Sequence, residues 1–420
     1  EMVDAAQIAE LKSAPSYIPG SEPVRRGGGP IEALPIPFNT SGFHRREVVE
    51  RGDGALTFIE APPYSAGQTA VAPGSVDVAE TDDSVVMENS QLRAEFSREG
   101  LLISLIHKIT GRETMAEPGN RMEIYDDHPT AWDAWDVDPF HLETRQDCPP
   151  AESCEVTLQS PLRVEVTFER SIGRESRMRQ TARLDAGSPR LEFHTTVEWH
   201  ESHKMLKVAF PVNVRALNAT YEMQFGCVER PTHYNTMYDL ARFEVPGHKW
   251  ADLSEHGFGV SLLSESKYGF STFGSAMRIS LLRSPKEPDP EADMGDHQFS
   301  YAILPHADGW REAGIVAEGY RFNQPFLWTE GRVLPQSFAA VDSPNLVLDT
   351  IKKAEDDDAL VLRLYECHGA RGTAQVKCSF PVQSATFCNL LEEEGEAAEV
   401  QEASITIPYG PYQIVSVKVR

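Results

Sequence analysis

The stretch Leu162-Arg163-Val164-Glu165-Val166-Thr167-Phe168 decides the fold, because apolar and polar residues alternate in it without a break. A period of two puts Leu162, Val164, Val166 and Phe168 on one face of an extended chain, and Arg163, Glu165 and Thr167 on the other. The same alternation recurs downstream. Leu191, Phe193, Val197 and Trp199 alternate with Glu192, His194 and Glu198, and Val415, Val417 and Val419 close the chain. Clusters such as Asp185-Ala186-Gly187-Ser188-Pro189 punctuate these runs as turns. No amphipathic helix beyond about ten residues emerges. Each such strand must bury one face against another layer, so the expected fold is mainly β, built of packed antiparallel sheets.

Working outward, residues 1–35 have linker composition (Pro15, Pro23, Gly27-Gly28-Gly29-Pro30, Pro35), with at most a helical turn or two around 4–13. The expected organisation is a small β element over 36–84, a large β domain over 85–327 and a C-terminal β-sandwich over 328–420. Trp328-Thr329-Glu330-Gly331-Arg332 and Ser343-Pro344-Asn345 mark the crossing between the last two. No repeat with a period of 20–50 residues is present.

The 420 residues carry a net charge of −25, from 64 acidic and 39 basic side chains. Nucleic-acid binders and proteins of anionic membrane surfaces need a basic footprint, and this composition supplies none. A neutral substrate such as a sugar is compatible with the charge, although solubility explains it equally well. No apolar run approaches the roughly 18–20 residues that span a bilayer. The opening Glu1-Met2-Val3-Asp4 does not read as a secretory signal. Six cysteines without a C-x-x-C pair are too sparse for a disulfide scaffold, so the expectation is a reduced, cytoplasmic chain. The alternative is a single bridge between Cys148 and Cys154, which flank a Pro-Pro turn.

Phosphate-binding loops, nucleophile elbows and H-E-x-x-H are all absent. His200-Glu201-Ser202-His203 has a metal-like spacing but reads as a turn between two strands. The acidic stretch from Asp289 to His297 lacks the alternation of a calcium loop and reads as solvated. Trp132-Asp133-Ala134-Trp135-Asp136-Val137-Asp138 stands out, with two indoles and three carboxylates in seven residues. Aromatic faces stack on the C–H face of a pyranose while carboxylates accept bonds from its hydroxyls. A loop with its tryptophans anchored in the core fits the same residues equally well. A second dense segment runs from Phe225-Gly226-Cys227-Val228-Glu229-Arg230-Pro231-Thr232-His233 to Phe243-Glu244-Val245-Pro246-Gly247-His248-Lys249-Trp250-Ala251-Asp252-Leu253-Ser254-Glu255. Its default reading is a structural ion-pair network, and a substrate-facing role is the alternative.

Together these two segments resemble the C-terminal region of family 38 α-mannosidases of the cytosolic, vacuolar and bacterial type. Lys267-Tyr268-Gly269, Leu281-Leu282-Arg283-Ser284-Pro285, Asp296-His297 with Tyr301 and Pro305-His306, and Leu362-Arg363-Leu364-Tyr365-Glu366 extend the resemblance in order along the chain. It implies a large antiparallel super-sandwich of galactose-mutarotase-like type, followed by a small C-terminal β-sandwich. It also implies a retaining mannosidase whose zinc ligands and aspartate nucleophile lie N-terminal to the matched region. No catalytic residue and no metal ligand is therefore carried over, and zinc is expected only in the full-length parent. The residues expected to face the sugar are Trp132, Asp133, Trp135, Asp136 and Asp138, with Lys267 approaching from a later strand pair. The implied partners are the chain's own N-terminal catalytic domain and a mannose-containing oligosaccharide, with self-association into an oligomer. The alternative from another class is a stand-alone carbohydrate-binding or mutarotase-like β protein.

Overall fold

The computed structural model describes residues 35–330 and 336–420. The expected linker, up to residue 34, and Gly331-Arg332 of the crossing lie outside the described residues. The described chain is mainly β, with strands paired antiparallel into several sheets. It divides into two compact units.

One unit comprises Arg46–Glu60 and Thr69–Pro325. Its largest sheet has nine strands, the central ones being Arg163–Ile172, Ser176–Asp185, Leu191–Trp199 and Gly295–Ala307. Val164, Val166, Phe168, Leu191, Phe193, Val197 and Trp199 are fully buried, so the alternation read from the sequence is the core-facing set. They share one hydrophobic core with a six-stranded sheet, through Leu206, Val208, Phe210 and Ile279, and with a five-stranded sheet, through Val85, Leu92 and Phe96. Within that core Asn120, Gln180, Thr195 and Tyr301 form a closed polar group. Asn120 donates to Gln180 at 2.7 Å, Gln180 to the Tyr301 hydroxyl at 2.7 Å, and Tyr301 back to Asn120 at 3.0 Å. Each buried polar atom in it is matched, which fixes the facing of the layers.

The other unit comprises the described residues up to Arg45, Ala61–Gln68 and the described residues of Phe326–Arg420. It contains a four-stranded and a five-stranded sheet around Leu346, Leu362, Leu364, Val376, Ile405 and Val417. This is the small C-terminal sandwich that the sequence leads one to expect. Glu366 closes one end of it: its buried carboxylate accepts from the backbone amides of His368, Gly369, Ala370 and Tyr412 at 2.8–2.9 Å.

Residues 36–84, expected to be one small β element, are instead shared among three sheets. Ile36–Asn39 and Ser65–Ala66 pair in a sheet with Leu327–Thr329, and Arg45–Glu50, Leu56–Ala61 and Gln68–Thr69 form a second. Asp77–Glu80 joins the five-stranded sheet through Ser84–Glu88, a strand that a boundary at 84/85 would cut. Short strands take their partners from distant sequence, and local composition does not reveal them.

Candidate functional site

Three neighbouring strands of the six-stranded sheet end together. Asp126, the last residue of Arg121–Asp126, faces Lys204, and Met205 faces Arg283 at the end of Ala276–Arg283. The 132–138 loop leaves the sheet at this point. Arg283 holds it: Nε donates to Asp127 Oδ2 at 2.7 Å, and the two terminal nitrogens donate to the carbonyls of Ala134 (3.3 Å), Asp133 (3.2 Å) and Asp136 (2.8 Å). A planar guanidinium offers five N–H groups in a fixed fork, which is what one side chain needs to gather four acceptors. Asp133 ties the loop sideways, its Oδ2 accepting from the backbone amides of Lys286 at 2.6 Å and Glu287 at 3.1 Å. Burial opposes ionisation of Asp133, but those amides, with His203 and Arg283 nearby, hold its carboxyl below the usual range. Asp138 Oδ2 accepts from the Thr130 amide at 2.7 Å and from its hydroxyl at 2.9 Å.

These bonds leave the indoles outside. Trp132 is 70% exposed and Trp135 69%, their rings meeting edge to face at 6.4 Å. Trp132 adopts a left-handed backbone (φ 58°), unfavourable for a bulky residue, and its carbonyl accepts from the amides of Trp135 and Asp136. The core-anchor reading of these tryptophans is therefore set aside. Of the three loop carboxylates, that of Asp136 has no hydrogen-bond partner among the described residues, while Asp133 and Asp138 are engaged. Beside the loop, His128 stacks on His203 at 4.5 Å. One exposed patch thus offers two aromatic faces and an open carboxylate.

Below the loop lies a buried polar layer. His141, in the 3-10 turn Pro139–Thr144, is 1% exposed. Its Nε2 lies 3.1 Å from Lys207 Nζ, and Lys207 Nζ also meets Glu244 at 2.6 Å and stands over the Tyr125 ring. Glu123 accepts from Tyr125 at 2.6 Å, Arg278 at 2.7 Å and Arg145 at 3.0 Å. Burial alone would raise the Glu123 carboxyl, but Arg278, Tyr125 and Arg121 outweigh it and hold it below its ordinary value. Burial raises the Tyr125 hydroxyl, with the Glu123 charge adding to the effect.

Lys267 follows the strand Phe258–Ser264, and its Nζ lies 4.7 Å from the Phe299 ring. Burial lowers its ammonium, against a smaller opposing effect of Asp293. Among the described residues no hydrogen bond, ion pair or ring contact joins it to the 132–138 loop. Arg283, Asp127 and His128 were not among the candidates from sequence, although Arg283 sits in one of the strings that carried the family resemblance; His203 was weighed only for metal spacing and read as part of a turn.

Two charged groups of the other motifs, Asp252 and Glu201, are engaged within the fold. Asp252 accepts from Ser261 at 2.7 Å and meets His306 at 2.8 Å, but the two are 1% and 5% exposed and closed to a substrate. Glu201 accepts from the amides of Arg174 and Glu175 and from Ser176, as a turn brace. Among the described residues no three His, Cys, Asp or Glu side chains stand together to hold a metal ion. All six cysteines are free, so Cys148 and Cys154 are not bridged. No helix among the described residues is long and apolar enough to cross a membrane.

Two matched families set this architecture among the β regions of glycosidases. Residues 87–291 match the glycosyl hydrolases family 38 C-terminal domain, and residues 345–417 the glycosyl hydrolases family 38 C-terminal beta sandwich domain. The chain belongs to glycoside hydrolase family 38, as its α-mannosidase C-terminal region. It is 42% identical to human Alpha-mannosidase 2C1 over 399 residues, 92% of this chain and 38% of that protein. Alpha-mannosidase G of Dictyostelium discoideum is 37% identical over 405 residues, 92% of this chain and 36% of its own length. The chain thus spans under two fifths of the length of these relatives. An alpha-mannosidase from Enterococcus faecalis V583 has the same fold, with a TM-score of 0.73 over 93% of this chain and 56% of that one, at 16% identity.

Proposed function

We propose that this chain is the C-terminal part of a retaining α-mannosidase and supplies scaffold and one wall of the site where a terminal α-mannoside is bound. The observation that carries this reading is the pair of indoles at 70% and 69% exposure, on a loop three of whose carbonyls are held by the terminal nitrogens of Arg283. Trp132 and Trp135 offer their faces to the apolar side of the pyranose, and Asp136 accepts from its hydroxyls. Asp133 and Asp138 hold the loop in shape. Lys267 is kept as a basic group near the same site, on the strength of the resemblance alone. The partners of this reading are the protein's own N-terminal catalytic domain and a mannose-containing oligosaccharide, in a cytoplasmic enzyme that self-associates.

The family implies zinc, and the described residues do not fit it, since no three candidate ligands stand together. The metal and the nucleophile are assigned to a part of the protein outside this chain. The chain by itself is then inert towards α-mannosides.

Two experiments test the reading. The chain alone, with zinc added, is expected to leave an aryl α-mannoside intact; zinc-dependent turnover that copurifies with it would put the catalytic residues here. In the chain joined to its catalytic region, Trp132→Ala, Trp135→Ala and Asp136→Asn are each expected to lower kcat/KM by about tenfold through lost orientation. Normal efficiency in all three would end the proposal.

A further inference from the structure

The loop that presents the indoles continues directly into the turn that carries His141, and that histidine is plugged into the outer face of the six-stranded sheet. Lys207 has no acceptor role, so it donates to His141 Nε2 across 3.1 Å. The ring proton must then sit on Nδ1, which donates to the Asp138 carbonyl at 2.7 Å. Only the Lys207 bond needs the neutral ring; the Nδ1 bond to the Asp138 carbonyl is made in either protonation state. A second proton would fall on Nε2 and aim at a fully buried ammonium.

We propose that His141 is a positioning residue whose uncharged ring fastens the 132–138 loop to the sheet, so that the loop is released in mild acid. Its consequence for substrate rests on the sugar-facing reading of the loop. The groups that face His141 are Lys207 from the strand Lys204–Pro211, Glu244 ahead of Val245–Pro246, Tyr125 from Arg121–Asp126, Asp127 beyond it, and the Asp138 carbonyl of its own segment. Phe243 closes the remaining side at 5.6 Å. Burial first and Lys207 second hold the imidazole below its ordinary value; Asp138, Glu244 and Asp127 oppose them without prevailing. Thr144 extends the fastening, donating to the His141 carbonyl at 2.7 Å and accepting from the Asp126 amide at 2.8 Å.

Hydrogen exchange on this chain, without sugar, tests the latch. Between pH 7.5 and pH 5 the protection factors of amides 133–141 are expected to fall about tenfold or more, while those of Leu191–Trp199 hold. In His141→Gln the amide oxygen still accepts from Lys207 and does not titrate, so protection is expected to be equal at the two pH values. That variant also separates His141 from His128 and His203, the stacked pair at the other end of the loop. Unchanged wild-type protection at pH 5, or the same acid loss in His141→Gln, overturns the proposal. Should the glutamine variant fail to fold, Lys207→Met replaces it. The protonated ring then faces Glu244 and Asp127 with no opposing ammonium, so the acid loss should shrink, and an undiminished loss overturns the latch. Normal catalysis in the tryptophan variants would sink the sugar-facing reading and leave the latch standing.

Discussion

The Arg283 guanidinium donates to the Asp127 carboxylate at 2.7 Å, in a pair whose acid is 2% exposed and whose base also carries three loop carbonyls. Removing one partner of a buried pair leaves the other charged and dry, at a cost of about 3–5 kcal/mol. Arg283→Ala is therefore expected to lower the Tm of the chain clearly. Arg283→Lys should rescue little, because one ammonium cannot reach four acceptors in a plane. A double-mutant cycle with Asp127→Asn is expected to show about 0.5–3 kcal/mol of coupling, and additivity within error would disprove the clamp.

The exposed indoles make the opposite forecast. Trp132→Ala and Trp135→Ala are expected to change stability by about 0.5 kcal/mol or less, as surface substitutions do. Trp199→Ala removes a fully buried indole, one that also donates to the Arg283 carbonyl at 3.0 Å, and should cost about 3–5 kcal/mol. Melting curves for the three variants compare them directly. Equal losses at all three sites would show that the loop tryptophans are packed.

Acid is expected to destabilise the large unit through His107. Burial, with the neighbouring His306 charge, holds its imidazole below the ordinary value, so the unfolded chain binds the proton more readily than the folded one. Stability from this group is complete above the unfolded value of about 6.5, declines as pH falls through it, and is fully lost below the folded value. Tm at pH 5.5 should thus lie below Tm at pH 7.5, by a margin that shrinks in His107→Gln. An identical margin in the variant would clear His107.

Thiol titration under denaturant should count six. In the native chain Cys148 is expected to react slowly with iodoacetamide, since burial pushes its thiol up to about 12 and leaves almost no thiolate at neutral pH. A count near four would mean that a bridge had formed.

Much of the fold was legible because a strand's facing is written in adjacent residues. Val164, Val166 and Phe168 alternate in the sequence and are buried together in the structure. Where partners are distant, the signal vanished. Nothing near Asn120 announces Gln180 or Tyr301, and nothing near Ile36 announces that Leu327–Thr329 lies beside it. The candidate loop was found by its composition, but its exposure was not readable, because exposure depends on Arg283, some 150 residues further on. The sequence also left unresolved which carboxylate stays open. That follows from Lys286, Glu287 and Thr130 engaging the other two.

The pairing of Leu191–Trp199 with Gly295–Ala307 has a consequence for how the protein is made. The strands Arg163–Ile172, Ser176–Asp185 and Leu191–Trp199 are hairpin neighbours and can pair as soon as they leave the ribosome. Their next neighbour is translated about a hundred residues later, an interval of roughly 5–20 s at ordinary elongation rates. Through that interval Leu191–Trp199 presents a full row of unpaired amides and carbonyls to solvent, with Phe193 and Trp199 uncovered beside it. Chaperone demand and aggregation during synthesis should therefore concentrate on this one strand, and ribosome stalling between residues 200 and 295 should be more damaging than stalling after 307.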